Sequence, residues 1–264
     1  MQNNRKVLAM GGGGFAMEPE NPLLDRFFFS LSKKTKPKVC FVSTASGDAE
    51  GYIERFYAAM KTHDVESSHL ALYRGPIGSL RDYVLGKDVL YVGGGNTRNL
   101  LALWKEWNLH KIIVEAYQRG VVVGGVSAGS ICWFEEGVTD SVPGSLSKLN
   151  CLGILKGSNC PHYDGETERR PAYQRLVREG MKAGFACDDG VAAHFSNETL
   201  VEFVSSRPNA LAYKLSLNDG KVFEESNEPQ FPHRYFLLIL LPLWDHEPTQ
   251  SFEFFFGRMK RNFF

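Results

Sequence analysis

Val121-Val122-Val123-Gly124-Gly125-Val126-Ser127-Ala128-Gly129-Ser130 decides how this chain folds. Residues 121–126 carry no polar side chain, as expected of a central strand covered on both faces of a sheet. The run ends in Gly125-Val126-Ser127-Ala128-Gly129, a G-x-S-x-G pattern, and residues 130–135 are compatible with a helix. A strand that turns sharply into a helix holds its central serine strained and exposed. Small neighbours are needed there, because Cβ atoms would collide with the adjoining strand. The helix start points backbone N–H groups at the serine, so the Ala128 amide is placed to stabilise an oxyanion. The bland alternative is a plain Gly/Ser turn in a parallel sheet.

Outward from this segment, short β-branched runs alternate with amphipathic stretches of helical length, the pattern of parallel strands joined by crossover helices. Strands are expected over residues 6–10, 38–43, 69–73, 89–92 and 121–126, and helices over 51–63, 99–107 and 109–119. After a loop over 137–160 a helix is expected over 170–182. Strands at 190–195, 199–204 and 210–216, parted by turn residues and closed by 221–223, then read as an antiparallel meander. The expected fold is α/β, with a mostly parallel central sheet flanked by helices and a C-terminal antiparallel meander. It forms a single domain over 1–227.

The 264 residues are 43% hydrophobic and 23% charged, enough apolar material for a full core in a soluble globular protein. Thirty Lys and Arg balance thirty Asp and Glu, which argues against nucleic acid or an anionic membrane as partner. The longest apolar stretch, 235–244, is broken by Pro242 and is about half a membrane span. A polar start followed by a run too short for a signal peptide points to the cytoplasm. Five cysteines without a C-x-x-C pair read as free, mostly buried thiols, with neither a disulfide framework nor a zinc knuckle suggested. Residues 228–264 gather Phe, Leu, Pro and His without periodicity. They read as an atypical tail outside the native domain, whose aromatic surface would favour a homodimer.

A serine hydroxyl is a weak nucleophile at neutral pH, so a histidine must take its proton and an acid must hold the histidine. Of seven histidines, His63, His69 and His110 lie in or beside expected helices and strands, and His233 and His246 lie in the tail. His162, in a loop after Cys160-Pro161, and His194, inside a short strand, are left. The loop position favours His162. Acids after the serine are Glu135, Glu136, Asp140, Asp164, Asp188 and Asp189. Glu135 and Glu136 would face solvent on the serine's own helix, and spacing does not choose among the others.

Gly93-Gly94-Gly95-Asn96 ends the strand over 89–92 and precedes a helix near Thr97. Ligands of open parallel sheets bind beyond the carboxyl ends of strands, so these amides would complete an oxyanion hole. A plain turn capped by Thr97 is the alternative. Gly11 to Gly14 with Ala16 formally matches G-x-G-x-x-A, but Pro19 and Pro22 interrupt the helix a dinucleotide site needs. A loop bordering the active site fits better.

Val92-Gly93-Gly94-Gly95-Asn96-Thr97, Gly125-Val126-Ser127-Ala128-Gly129-Ser130 and Asn159-Cys160-Pro161-His162 together resemble the aspartyl dipeptidase (peptidase E) family of serine peptidases, which includes cyanophycinase. The resemblance runs from about Lys6 to Phe223. It implies a fold like class I glutamine amidotransferases, with serine in place of cysteine. It implies a serine-type dipeptidase for small peptides with N-terminal aspartate, working without a metal or cofactor: Ser127 as nucleophile, His162 as base then acid, and the Gly95 and Ala128 amides on the oxyanion. The third triad member matches Asp189, or alternatively Asp140. The family's substrate arginine follows Gly-Glu-Thr; here Gly165-Glu166-Thr167 is followed by Glu168, which displaces the arginines to Arg169 and Arg170. Isoaspartyl or cyanophycin-type amide hydrolysis, or a non-catalytic binding role, are the competing functions.

Overall fold

The computed structural model describes residues 4–75 and 78–231. Its larger sheet has seven strands, in the order β11 (Thr199–Ser205), β10 (Val191–Ser196), β1 (Lys6–Met10), β5 (Val122–Val126), β4 (Val89–Val92), β2 (Lys38–Val42) and β3 (Glu66–Leu70). Pairings from β1 through β3 are parallel, and β10 joins β1 and β11 antiparallel. Because side chains alternate across a strand, Val7 and Ala9 of β1 enter one core while Leu8 and Met10 enter the other.

Helices cover both faces. On the first face lie α4 (Thr97–Glu106) and α5 (Leu109–Gln118), which bury Leu100, Trp104 and Ile113. On the second lie α1 (Leu23–Ser30) and α2 (Glu50–Met60). Tyr52, Phe56 and Met60 recur at four-residue spacing on the buried stripe of α2. Each such fully buried side chain contributes roughly 1.5–3 kcal/mol. Asn96, not Thr97, caps α4: its side chain accepts the Asn99 amide at 2.9 Å.

The second sheet has six strands, in the order β13 (Lys221–Asn227), β12 (Ala212–Asn218), β9 (Gly184–Cys187), β8 (Leu155–Cys160), β6 (Phe134–Thr139) and β7 (Ser147–Asn150). Helix α7 (Arg169–Arg178) supplies Tyr173 and Val177 to its core, against Val138, Cys160 and Leu215.

The fold class is as expected, a mostly parallel sheet flanked by helices with antiparallel strands near the C-terminal end, but several elements differ. The C-terminal strands do not form one meander: β10 and β11 belong to the first sheet and β12 and β13 to the second. The chain changes sheets at Arg207-Pro208-Asn209, where proline cannot serve a ladder and Asn209 takes φ 63°. The expected helix after Ser127 is the single turn α6 (Ala128–Ile131), and the expected loop over 137–160 holds strands. Helices α1 and α3 (Leu80–Leu85) were not foreseen, and β3 begins three residues before its expected start.

At the end of the described chain, Gln230 bridges to Val204 of β11; its amide donates to Phe203 O at 2.8 Å. The rest of the expected tail, from residue 232, lies outside the described residues. Among the described residues no helix is long and apolar enough to cross a membrane.

Candidate active site

Ser127 stands between β5 and α6 with φ 58° and ψ −113°, a conformation costing a non-glycine residue about 1–3 kcal/mol. The surrounding contacts maintain it. Its amide donates to Met10 O at 3.3 Å, while its carbonyl accepts the amides of Ser130 and Ile131 at 2.8 and 3.0 Å. Gly125 and Gly129 pack so closely on the carbonyl oxygen of Val92 that a Cβ at either would overlap it. Small residues are therefore obligatory on both sides of the serine. Nearby, Asn159 Nδ2 donates to Ser130 Oγ at 2.6 Å and ties the end of β8 to the elbow.

The carbonyl after Met10 holds the histidine. His162, at φ 54°, donates its amide to Gly11 O at 3.3 Å. Consecutive carbonyls of β1 and its extension thus carry Ser127 and His162. The His162 ring nitrogen Nδ1 lies 2.6 Å from Asp189 Oδ1. Burial pushes the Asp189 carboxyl up, yet the His162 hydrogen bond and the charges of His162, Arg207 and Arg169 outweigh it and leave its pKa below the usual value. An ionised carboxylate only accepts, so Nδ1 carries the proton of this hydrogen bond, and in a neutral ring the acceptor is Nε2. The Asp189 amide donates to Asp164 Oδ1 at 2.7 Å, which fixes the turn behind the acid.

Two glycines that sequence reasoning did not assign hold this pair. A Cβ at Gly12 would overlap Asp189 Oδ1, and one at Gly165 would overlap Oδ2. The acid is sandwiched between the first glycine cluster and the loop after His162. The cluster packs against Asp189, a contact that leaves no signal in the sequence.

Beside the elbow, a Cβ built on Gly94 would lie 3.2 Å from Ser127 Cβ and 3.7 Å from Oγ. The Gly94 amide is taken by Tyr52 Oη at 3.3 Å, whereas those of Gly95 and Ala128 have no acceptor among the described residues. Gly95, at φ 136°, packs on the Ala45 carbonyl with no room for a Cβ. Tyr52, which fixes this strip from α2, was also missed.

The remaining expected residues are placed differently. Asp140 is 66% exposed, and its Oδ2 faces Arg169 Nη2 at 3.8 Å, with no hydrogen bond to His162. Arg169 is 2% exposed; Nε donates to Glu166 Oε2 at 2.6 Å and Nη1 to Val138 O at 3.1 Å. Arg170 pairs with Glu224 and lies over the rings of Tyr163 and Tyr213, 5.6 and 4.9 Å from their centroids. Glu135 and Glu136 lie on β6, not on the serine's helix; Glu136 is buried and accepts the Lys182 amide at 2.7 Å. His194 sits in β10 with Nδ1 3.1 Å from Glu202, packed edge-on against Phe27. A cavity of about 520 Å³ opens beside Gly165, lined by Asp140, Leu146, Glu166, Thr167 and Glu168.

The sequence profile of Peptidase family S51 matches residues 7–203. The chain belongs to Peptidase family S51. It is 53% identical over 221 residues to uncharacterized peptidase YgaJ of Bacillus subtilis (strain 168), covering 83% of this chain and 96% of the relative. It is 28% identical over 166 residues to uncharacterized peptidase Lmo0363 of Listeria monocytogenes, covering 60% of this chain and 79% of the relative. The crystal structure of a peptidase from an acI-B1 Actinobacterium superposes with a TM-score of 0.66 at 18% identity, covering 87% of this chain and 96% of that one; at that identity it speaks for the fold alone. The S51 match spans the Ser127 elbow, His162 and Asp189 and stops inside β11.

Proposed function

We propose that this S51 peptidase cleaves short peptides through an acyl-enzyme on Ser127. The observation that carries the reading is the His162–Asp189 hydrogen bond, on a histidine suspended from the carbonyl next to the one that holds Ser127. His162 Nε2 accepts the proton of Ser127 Oγ as that oxygen bonds to the scissile carbonyl carbon. The carbonyl oxygen becomes an oxyanion facing the Gly95 and Ala128 amides, a stabilisation that costs no reorganisation when the donors are already fixed. Collapse breaks the C–N bond, and the imidazolium returns its proton to the leaving amine. Water, deprotonated by the same imidazole, then hydrolyses the ester.

We assign the substrate's first residue to the cavity beside Gly165, the glycine that packs on Asp189, and the charge of that cavity then bears on specificity. Aspartate, the preference implied by the resemblance, would meet Asp140, Glu166 and Glu168, while Arg169 is already paired and buried. A neutral or cationic first residue therefore ranks ahead of aspartate. Hydrolysis of isoaspartyl or other amide-linked substrates is a second reading, favoured by the same carboxylates where the substrate carries a cation. A panel of dipeptides led by Asp, Ala and Lys, with a β-aspartyl dipeptide, tests both. Turnover should fall by about 10³-fold or more in Ser127→Ala; equal turnover by the variant and the parent protein would reject the mechanism.

A further inference from the structure

Met17 is the one exposed methionine among the described residues: it is 44% exposed, whereas Met10, Met60 and Met181 are 0, 3 and 4% exposed. It follows the first glycine cluster, just after the 3-10 turn over Gly14–Ala16, and its amide donates to Gly14 O at 3.1 Å. The side chain folds back over the cluster. The Gly13 amide donates to Met17 Sδ at 3.3 Å.

The sulfur stands against the proposed acid. A Cβ built on Gly12 would lie 3.1 Å from Met17 Sδ and 1.9 Å from Asp189 Oδ1, so the thioether and the carboxylate oxygen converge on one point of the glycine cradle. That oxygen is the one that meets His162 Nδ1 at 2.6 Å. The segment is anchored on its far side: the Glu18 amide donates to Gly14 O at 2.8 Å, and the Glu18 carboxylate accepts from Ser206 Oγ at 2.6 Å and from Arg207 Nε.

The thiols do not compete for an oxidant. Peroxides attack thiolates, and burial raises the thiol pKa of all five cysteines, to about 11 for Cys40 and about 12 for Cys151 and Cys160, so each keeps its proton at neutral pH. A thioether has no proton to lose, and exposure decides which methionine reacts. Oxidation turns a weakly accepting apolar sulfur into a polar group with a strongly accepting oxygen. The Gly13 amide is drawn to that oxygen, and the cluster that cradles Asp189 moves with it.

We propose that Met17 is an oxidation site through which peroxides lower turnover, its sulfoxide displacing Asp189 from His162. A sulfur lone pair attacks one peroxide oxygen; the S–O bond forms as the O–O bond breaks, sulfur gives up two electrons, and the released hydroxide takes the proton of the transferred oxygen and leaves as water. The proposal rests on the hydrolytic reading above and adds control of that site by an oxidant.

The test treats the full-length protein with hydrogen peroxide, maps methionine oxidation by mass spectrometry and follows turnover of a cleaved dipeptide. Met17 sulfoxide should form ahead of that of Met10, Met60 or Met181. In step with it kcat should fall, by about 10-fold or more at full conversion, with KM little changed. The two methionine sulfoxide reductases, one for each epimer, should restore kcat. Met17→Leu should keep its own starting rate through the same treatment. Met17 oxidised no faster than the buried methionines, or oxidised fully with kcat unchanged, would overturn the assignment. So would an equal loss in Met17→Leu, which would place the damage elsewhere. If the unoxidised protein cleaves no peptide, the hydrolytic reading fails and control of turnover falls with it; an active protein whose Met17 oxidises without consequence rejects this proposal alone.

Discussion

Ser127 and His162 donate their backbone amides to the adjacent carbonyls of Met10 and Gly11, so one strand end sets the spacing of the proposed nucleophile and base. Both residues have positive φ, 58° and 54°. Strain of this kind persists only where the surrounding fold enforces it, and here the last residue of β1 and the residue after it each accept one of these amides.

The His162–Asp189 bond fixes the imidazole tautomer. Asp189→Asn should leave the fold intact and lower kcat by about 10³- to 10⁴-fold, because the amide permits the wrong tautomer. Since the Asp189 pKa is lowered from its ordinary value, the carboxyl stays ionised throughout the mildly acidic range. The acidic limb of the kcat/KM profile should therefore not follow Asp189. A variant with kcat within a few-fold of the parent would remove Asp189 from the mechanism.

Gly12 is predicted to be as sensitive as the acid it touches. A methyl in Gly12→Ala overlaps Asp189 Oδ1 and must push the carboxylate off the ring. We expect kcat to fall by at least about 10²-fold, as small displacements of catalytic groups do, with substrate KM little changed. Unaltered kcat would mean that the acid is free to move without consequence.

Glu168 occupies the position where the family resemblance calls for arginine. Glu168→Arg should raise kcat/KM for Asp-led dipeptides relative to Ala-led ones, by about 10-fold for one new charge-assisted contact. A ratio that does not move would separate this position from recognition of the first residue.

Asp25 gives the protein a pH-dependent stability independent of turnover. The carboxyl is buried beneath Gly14, and its Oδ1 has no hydrogen-bond partner among the described residues. Burial raises its pKa from 3.8 to about 7, against partial relief from the Tyr91 hydroxyl and the Phe15 amide. The folded state thus holds this proton more tightly than the unfolded state. Its contribution is fully present below about pH 4 and is lost as pH rises towards 7, by at most about 4 kcal/mol. Urea unfolding at pH 4.5 and 8 should show Asp25→Asn gaining on the parent protein at the higher pH. Parallel behaviour at both would contradict the shift.

The strands that decide the fold were legible because burial on both faces leaves an uninterrupted apolar run: β1 and β4 have their expected limits, and β2 and β5 fall within one residue of theirs. Elements stabilised by distant partners were not legible. Strand β6 reads as polar at Glu135 and Glu136, yet those carboxylates are satisfied by Gly157, Lys182 and Lys148 from other elements. In β3, Ser67 and Ser68 on a sheet edge give no apolar signal, so the sequence pattern starts the strand at His69. The division of β10–β11 from β12–β13 is a choice between sheets that local turn chemistry does not encode. At the site, G-x-S-x-G and Pro-His were readable as local patterns and the resemblance favoured Asp189 over Asp140, while the packing of Gly12 and Gly165 around Asp189 left no local signal.

The covalent intermediate is the most direct test. An activated ester of an amino acid that the enzyme accepts should acylate Ser127 faster than water removes the product, and acid quenching should trap the adduct. Peptide mapping by mass spectrometry is predicted to find the acyl group on Ser127 Oγ in the parent protein and none in Ser127→Ala. Hydrolysis at the parent rate with no adduct on Ser127, or an adduct on another residue, would contradict the account.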